Sequence, residues 1–422
     1  MTDQPAPSAT TESLPSTYFR LLRGGPFSRY MLGEGISMIG TWMQMSAQYW
    51  LVTTLTPKAT ALGGLVLVGG VPTLLLTMLG GTVADRFDKR RILFISLAVQ
   101  ISLALLVGWL THDGLIRLWH LYVVTALLGV VSAFEVPTVS AFVPELVGKD
   151  DLAKALAIDR SVFHFTRMIG PALGGYLVAK LGVSIAYYLN AVTFLALIAA
   201  IISIPARARG DAKEEEERQG PMRAGFDFVR RDPPTRAMIQ LMGSAAVFVS
   251  PFFIVTLPVY AVHELHLDAQ RLGDLMAFSG VGSLTGALAL LTIHKGKRAR
   301  FLKLGAAVAT LGLAGLASAP SFGWTALSIV LMTFGLSSGF GTANIVIQER
   351  APDAIRGRVS GVASLAFFGV LPFAGLGMSA LSDGIGLRQT MFLGTAGFAL
   401  TAFFLLAGRK QLASAPPSEP SL

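Results

Sequence analysis

The chain is 422 residues long, has no cysteine, and is 53% hydrophobic with only 14% charged residues. Its mean hydropathy of +0.61 excludes an ordinary soluble domain and makes lipid the solvent, because apolar runs of about 20 residues keep recurring. The net charge of +9 reads as membrane orientation and not nucleic-acid binding, since the bases sit in short loops between apolar runs; without cysteine there is neither a disulfide framework nor a thiolate metal site.

Residues 1–17 are rich in Pro, Ser and Thr with no apolar core, and read as a disordered tail and not a cleaved signal. Twelve apolar runs follow, at 27–52, 60–84, 92–111, 117–142, 153–179, 184–205, 236–261, 271–293, 300–319, 323–347, 358–381 and 387–408. A β-barrel is excluded, because barrel strands alternate polarity and are about ten residues long. The expected fold is an all-α membrane protein of twelve spans. With the N-terminus inside, the cytoplasmic segments carry 28 Lys and Arg and the outer loops only Lys58, Arg117, Lys180, Arg271 and Arg388. Both termini are therefore expected in the cytoplasm.

The one long polar interruption, 206–235, falls after the sixth run and divides an N-terminal half, 18–205, from a C-terminal half, 236–408. Within it, MRAGFDFVRRD can form an interfacial helix, with Phe226, Phe228 and Val229 toward lipid and Arg230 and Arg231 toward head groups. Residues 409–422 read as a second disordered tail. The halves echo each other: FVPELVGKDDLAKA (142–155) and VIQERAPDAIRGRV (346–359) place Glu145 and Glu349 at an offset of 204.

The densest charge lies in GGTVADRFDKRR (80–91), between the second and third runs. Orientation explains Arg86, Lys89, Arg90 and Arg91. It does not explain the glycines, which let a neighbouring helix come close, or Asp85, which can face a helix N-terminus. Such a contact would break when the halves part, as a cytoplasmic gate must.

Ionisable groups at membrane depth cost at least about 2.5–3.5 kcal/mol unless paired or wet. Glu34, Glu135, Asp159, Arg160, His164 and Arg167 are of this kind. Glu135 and Arg167 flank position 151 at equal distance, so both are expected at a similar depth, roughly 15–20 Å from the cytoplasmic ends, where they can pair. Arg160, His164 and Arg167 are spaced i, i+4, i+7 and share a helix face. Two readings are open for that stripe: attraction of an anionic substrate, or neutralisation by Glu135, Asp159 or Glu34. His164 is read as a packed polar residue before a proton relay. Glu34 is the leading proton-site candidate, since a carboxyl in a poorly hydrated cavity can trade a proton for substrate. Trp42, Met43, Met45, Tyr49 and Trp50 can line a greasy pocket or serve as packing and belt.

GTVADRFDKRR resembles the major facilitator signature G-x-L-a-D-R-x-G-R-(K/R), matched at Gly81, Ala84, Asp85, Arg86, Lys89 and Arg90, with Val83 for Leu and Asp88 for Gly. The resemblance implies two six-helix repeats and a loop that latches the cytoplasmic side. TRMIGPALGG (166–175) resembles the glycine-proline signature of exporters in that superfamily at Gly170, Pro171, Gly174 and Gly175, with Thr166 for the first Gly; a Pro-kinked, tightly packed helix explains the same residues. ISMIGTWMQMSAQYWLVTTLT, PTVSAFVPELV and PDAIRGRVSG look like the enterobactin-exporter-like branch, which holds siderophore exporters and drug efflux pumps. One departure bears on coupling: Thr125 precedes Gly129 where drug–proton antiporters often carry Arg.

No Walker A sequence, HExxH motif or nucleophile elbow is present, and GVGSLTG (280–286) lies inside a span. The expected function is a secondary exporter of siderophore-like or drug-like molecules in a bacterial cytoplasmic membrane, coupled to protons, with no cofactor, no metal and no enzymatic reaction. Its partners are a small-molecule substrate and the bilayer, and it is expected to be a monomer. An importer of the same fold, and a non-transporting receptor or scaffold, remain as alternatives.

Overall fold

The structure is a computed structural model and describes residues 20–148, 151–205 and 222–406. The tails read at 1–17 and 409–422, and most of the interruption (206–221), lie outside the described residues. The described chain is helical almost throughout, as a chain in lipid must be when every backbone polar group is satisfied internally. The helices are α1 (Pro26–Leu55), α2 (Ala59–Arg86), α3 (Lys89–His112), α4 (Leu118–Leu146), α5 (Leu152–Leu181), α6 (Val183–Ser203), the short α7 (Arg223–Arg231), α8 (Pro233–Glu264), α9 (Ala269–Leu290), α10 (Arg298–Ala317), α11 (Phe322–Arg350), α12 (Asp353–Ile385) and α13 (Leu387–Leu406).

Among the described residues, each apolar run falls on one of these helices to within three residues at either end. Ten of the helices are long and apolar enough to cross a membrane. The long helices outside that set, α1 and α5, have 30 residues each and fall short on polarity, not length. They carry Glu34, Asp159, Arg160, His164 and Arg167.

Starts and stops follow local chemistry. Asp88, Asp232 and Asp268 cap α3, α8 and α9 by accepting from the backbone N–H three residues on. Asp88 thus has a role in place of the signature's glycine. The turns before α6 and α13 each need a left-handed residue, and Gly182 (φ 86°) and Gly386 (φ 100°) supply it. These two also lie 204 residues apart, like Glu145 and Glu349. Wide π turns interrupt α8 at Phe252–Thr256 and Tyr260–Glu264, and α12 at Leu365–Gly369.

Helices α1–α6 pack mainly among themselves, as do α8–α13. The groups meet where α2 lies on α12 and α5 on α9. We call the end of the bundle holding the α2–α3 and α4–α5 turns the base, and the opposite end the top. At the base, Lys89 Nζ donates to Glu145 at 2.7 Å, tying the start of α3 to the end of α4. Arg298 donates to Glu349 and ties α10 to α11 in the same way. The echo between the two Glu-bearing stretches therefore has a structural counterpart. The short α7 packs on the start of α12, with Val229 buried and Phe226 and both arginines exposed. The two faces expected of an interfacial helix are thus partly used against the protein itself.

Candidate functional site

Three carboxyls approach one another in the lower half of the N-terminal group. Glu34 stands about 12 Å into α1, Asp159 about 11 Å into α5 and Glu135 about 17 Å up from the end of α4, at 1.5 Å per residue. All three are partly buried and lie within electrostatic range of the Tyr30 hydroxyl. Tyr30 itself is 1% exposed and its hydroxyl has no hydrogen bond of normal geometry. Glu135 accepts from Gln100 Nε2 at 2.9 Å.

Above the carboxyls lies a polar layer that sequence reasoning passed over. Asn190 Nδ2 donates to Gln44 Oε1 at 2.8 Å, and Gln48 Nε2 donates to Thr125 Oγ1 at 3.1 Å. Thr125, the residue standing where antiporters often carry Arg, is thus the partner of a glutamine on α1. The available signal was Gln44 and Gln48 at i, i+4 in a run otherwise free of amides.

The expected pair between Glu135 and Arg167 does not form: among the described residues Arg167 makes no hydrogen bond or ion pair. The physical reason is register. The turn runs from the end of α4 at Leu146 to the start of α5 at Leu152, so its middle is near 149 and not 151. Arg167 then stands about 6 Å deeper than Glu135. Its neighbours are rings instead, its Cζ lying 5.7 Å from the Trp42 centroid and 5.4 Å from that of Phe253. Tyr49 is its phenolic neighbour. Arg160 is exposed beside Asp159. His164 Nδ1 lies 3.4 Å from Ser283 Oγ on α9, a contact between the groups.

The glycine-proline stretch is a packing seam. Methyls on Gly170 and Gly174 would run into α1, at 2.5 Å from Trp42 Cβ and 2.3 Å from Ser46 Oγ. On the other face Gly175 meets Gly273 of α9, and a methyl on either would lie under 3.0 Å from the other's backbone. At the top, Asp383 at the end of α12 accepts from the N–H groups of Ala59 (2.7 Å) and Thr60 (3.0 Å) and from Thr60 Oγ1 (2.7 Å). A carboxylate there also meets the positive end of α2. His263 Nε2 and the Thr53 carbonyl are 3.2 Å apart. These contacts join the two groups in the top half of the bundle.

The base differs. Asp85 is exposed and makes no hydrogen bond or ion pair among the described residues. Arg86 is also exposed. Lys89 and Arg90 serve their own group, Arg90 donating to the carbonyls of Ile204 (2.7 Å) and Pro205 (2.5 Å). Of the two glycines, Gly81 has nothing within 4 Å of an added methyl, whereas one on Gly80 would strike the Ala133 carbonyl at 1.9 Å. The close approach belongs to Gly80, one residue before the signature position.

The family model described as "Transmembrane secretion effector" (MFS_3) matches residues 17–420. The staphyloferrin A transporter of Staphylococcus aureus is 24% identical over 390 residues, covering 88% of this chain and 94% of that protein. The multidrug efflux pump Tap of Mycobacterium tuberculosis is 28% identical over 373 residues, covering 85% of each. A crystal structure of a bacterial homologue of the lysosomal transporter spinster, inward-facing and occupied, superposes with a TM-score of 0.70 at 15% identity, over 96% of this chain and 100% of that one. The residue signatures, the helical bundle and the full-length match agree: the chain belongs to the transmembrane secretion effector family of the major facilitator superfamily, and is a multi-pass membrane transporter, not an enzyme.

Proposed function

We propose that this transporter is a secondary exporter of small organic molecules, siderophore-like or drug-like, working by alternating access across a bacterial cytoplasmic membrane. Twelve spans, with 18–205 and 236–408 as the moving halves and both termini in the cytoplasm, make the base the cytoplasmic face. The observation that carries the reading is the asymmetry of contact: the groups are joined at the top through Asp383, Gly175 and Gly273, while the gate carboxylate Asp85 at the base is exposed and unbonded. That is the arrangement of a transporter open toward the cytoplasm, ready to load cargo for export.

In the opposite state Asp85 and Arg86 latch the base. Glu34, with Glu135 and Asp159, carries the coupling proton, and Arg160, His164 and Arg167 face the substrate path. A carboxyl enclosed by apolar helices favours its neutral form and releases its proton when the site is wetted. That is the exchange an antiporter needs. The substrate class is supported by relatives named as a siderophore transporter and a drug pump.

The test compares spent medium from host cells with and without the gene, grown iron-poor and iron-replete, by untargeted mass spectrometry. A chelator lost from the medium and accumulated in gene-less cells supports siderophore export. An unchanged profile with raised drug susceptibility moves the substrate to foreign compounds, and no change in either assay overturns the export reading.

A further inference from the structure

Arg167 is a cation about 22 Å into its helix, at 1.5 Å per residue, with no counter-charge bonded to it. Its nearest helix-mate carboxyl, Asp159, is two turns below and lies beside Arg160. Glu135 is engaged by Gln100. A cation at such depth that serves only structure would be paired with an acid or a carbonyl. Here the guanidinium has rings for neighbours and no acceptor: Trp42 of α1 and Phe253 of α8 have their centroids within 5.7 Å of Cζ, and Nε is buried without a partner. Rings of this kind fix the plane of a guanidinium. A guanidinium held in plane presents two parallel N–H groups, the geometry a carboxylate accepts from.

The second ring has its own structural origin. Phe253 lies in the first wide turn of α8, Phe252–Thr256. There Phe252 is fully buried in the C-terminal core, while Phe253 and Ile254 are only partly buried. Wide turns re-aim side chains and recur at functional sites. The C-terminal group thus contributes a ring, not a charge, to a site whose charge comes from the N-terminal group.

We infer that Arg167, with the rings of Trp42 and Phe253 beside it, binds a carboxylate of the transported molecule, and that the preferred ligand is an organic acid with a flat apolar body. The site spans both groups of helices, so opening of the base or the top changes the distance between its walls and with it the affinity. The inference rests on the transport reading above and narrows its substrate class to anions.

The test uses full-length protein in nanodiscs, titrated calorimetrically with benzoate and 2-naphthoate and with their neutral amides. Wild type is expected to bind the acids at least about tenfold more tightly than the amides, as loss of a charge-assisted hydrogen-bond pair implies. R167Q is expected to abolish that preference, R167K to keep part of it, and F253L to weaken both acids while preserving the preference. Acids and amides bound equally by wild type, no acid bound at all, or a preference surviving in R167Q each overturn the inference; the wild-type comparison stands even where a variant fails to fold. Secretion run in parallel separates the two readings. A compound exported equally by wild type and R167Q leaves the transporter standing and removes the anion site. An acid preference lost in R167Q, with no compound moved by wild type, does the reverse.

Discussion

The two groups of helices bury themselves differently. In the C-terminal group one continuous apolar core runs from Val229 to Leu406, taking in Met238, Phe252, Tyr260, Leu275, Leu313 and Phe398. The N-terminal group has a base cluster around Tyr30, Leu93 and Phe142 and separate top clusters around Leu51, Leu121 and Tyr187 and around Met43 and Ala186. Along α1, Glu34 stands between Met31 of the base cluster and Met43 of a top cluster, and along α6 Asn190 stands between Ala186 and Phe194. The top clusters also recruit Val255, Val259 and Ala269 from the C-terminal group. Apolar burial and hydrogen bonds therefore hold the two groups together at one end. The comparison teaches a division of labour: the C-terminal group is the apolar wall, and the N-terminal group sacrifices core continuity to keep charge at depth.

Breaking the C-terminal group where it depends on charge should have the largest effect on stability. Arg350 donates to both oxygens of Asp232, at 2.8 and 2.7 Å, in a pair only 10% and 8% exposed. Burial opposes the charge on Asp232, but the hydrogen bonds from Arg350 and Thr235 outweigh it and hold the carboxyl below the usual range. Removing one partner leaves a buried charge, so Arg350→Met should cost about 3–5 kcal/mol, read as a lowered unfolding temperature in detergent. Because the carboxyl is held low in the folded state, its contribution is complete above its unfolded value near 4. It is lost as pH falls through the folded value. The wild type should lose stability there and Asp232→Asn should not share that loss.

The top lock comes next. Asp383→Ala removes three hydrogen bonds to α2; hydrogen bonds to charged groups contribute about 1.5–3 kcal/mol each net of the exchange with water, and less here because Asp383 is exposed. Electron-electron distance measurements between labels at 58 and 384 should show a population with the top parted. An unchanged distribution would make the lock redundant with the Gly175–Gly273 seam.

A smaller effect is expected from the carboxyl cluster, on coupling and not folding. Glu34→Gln should slow proton-driven efflux of the compound found in spent medium by roughly tenfold, a change of about 1.4 kcal/mol. Its melting temperature should stay near wild type. Efflux at the wild-type rate across an imposed pH gradient would move the proton to Glu135 or Asp159.

The smallest effect belongs to the pairs the two groups share. Lys89–Glu145 and Arg298–Glu349 are each between a partly covered base and a half-exposed acid. Lys89→Ala and Arg298→Ala should each cost under about 1 kcal/mol. A much larger cost for one alone would mean that the two ends of the repeat are not equivalent.

Much of this was legible in the chain itself. Apolar run length set the helices, because lipid leaves no other solution for the backbone. The GTVADRFDKRR and MIGPALGG stretches pointed to the superfamily before any coordinates, whereas the left-handed turns at Gly182 and Gly386 came to light only in the structure. Side-chain partnership was not legible. The distance from Glu135 to Arg167 along the sequence fitted a pair, but a two-residue error in the middle of the turn doubles when counted along both arms, and it lifts Arg167 out of reach. Phe253, Gln100 and Asn190 carried no motif, since an amide or a ring in a span gains meaning only from what a distant helix sets against it. The sequence by itself determined a helical membrane transporter and the inventory of charges in its interior. Only the tertiary structure decided which charges are answered, because pairing at membrane depth depends on register between helices, and register is set by packing.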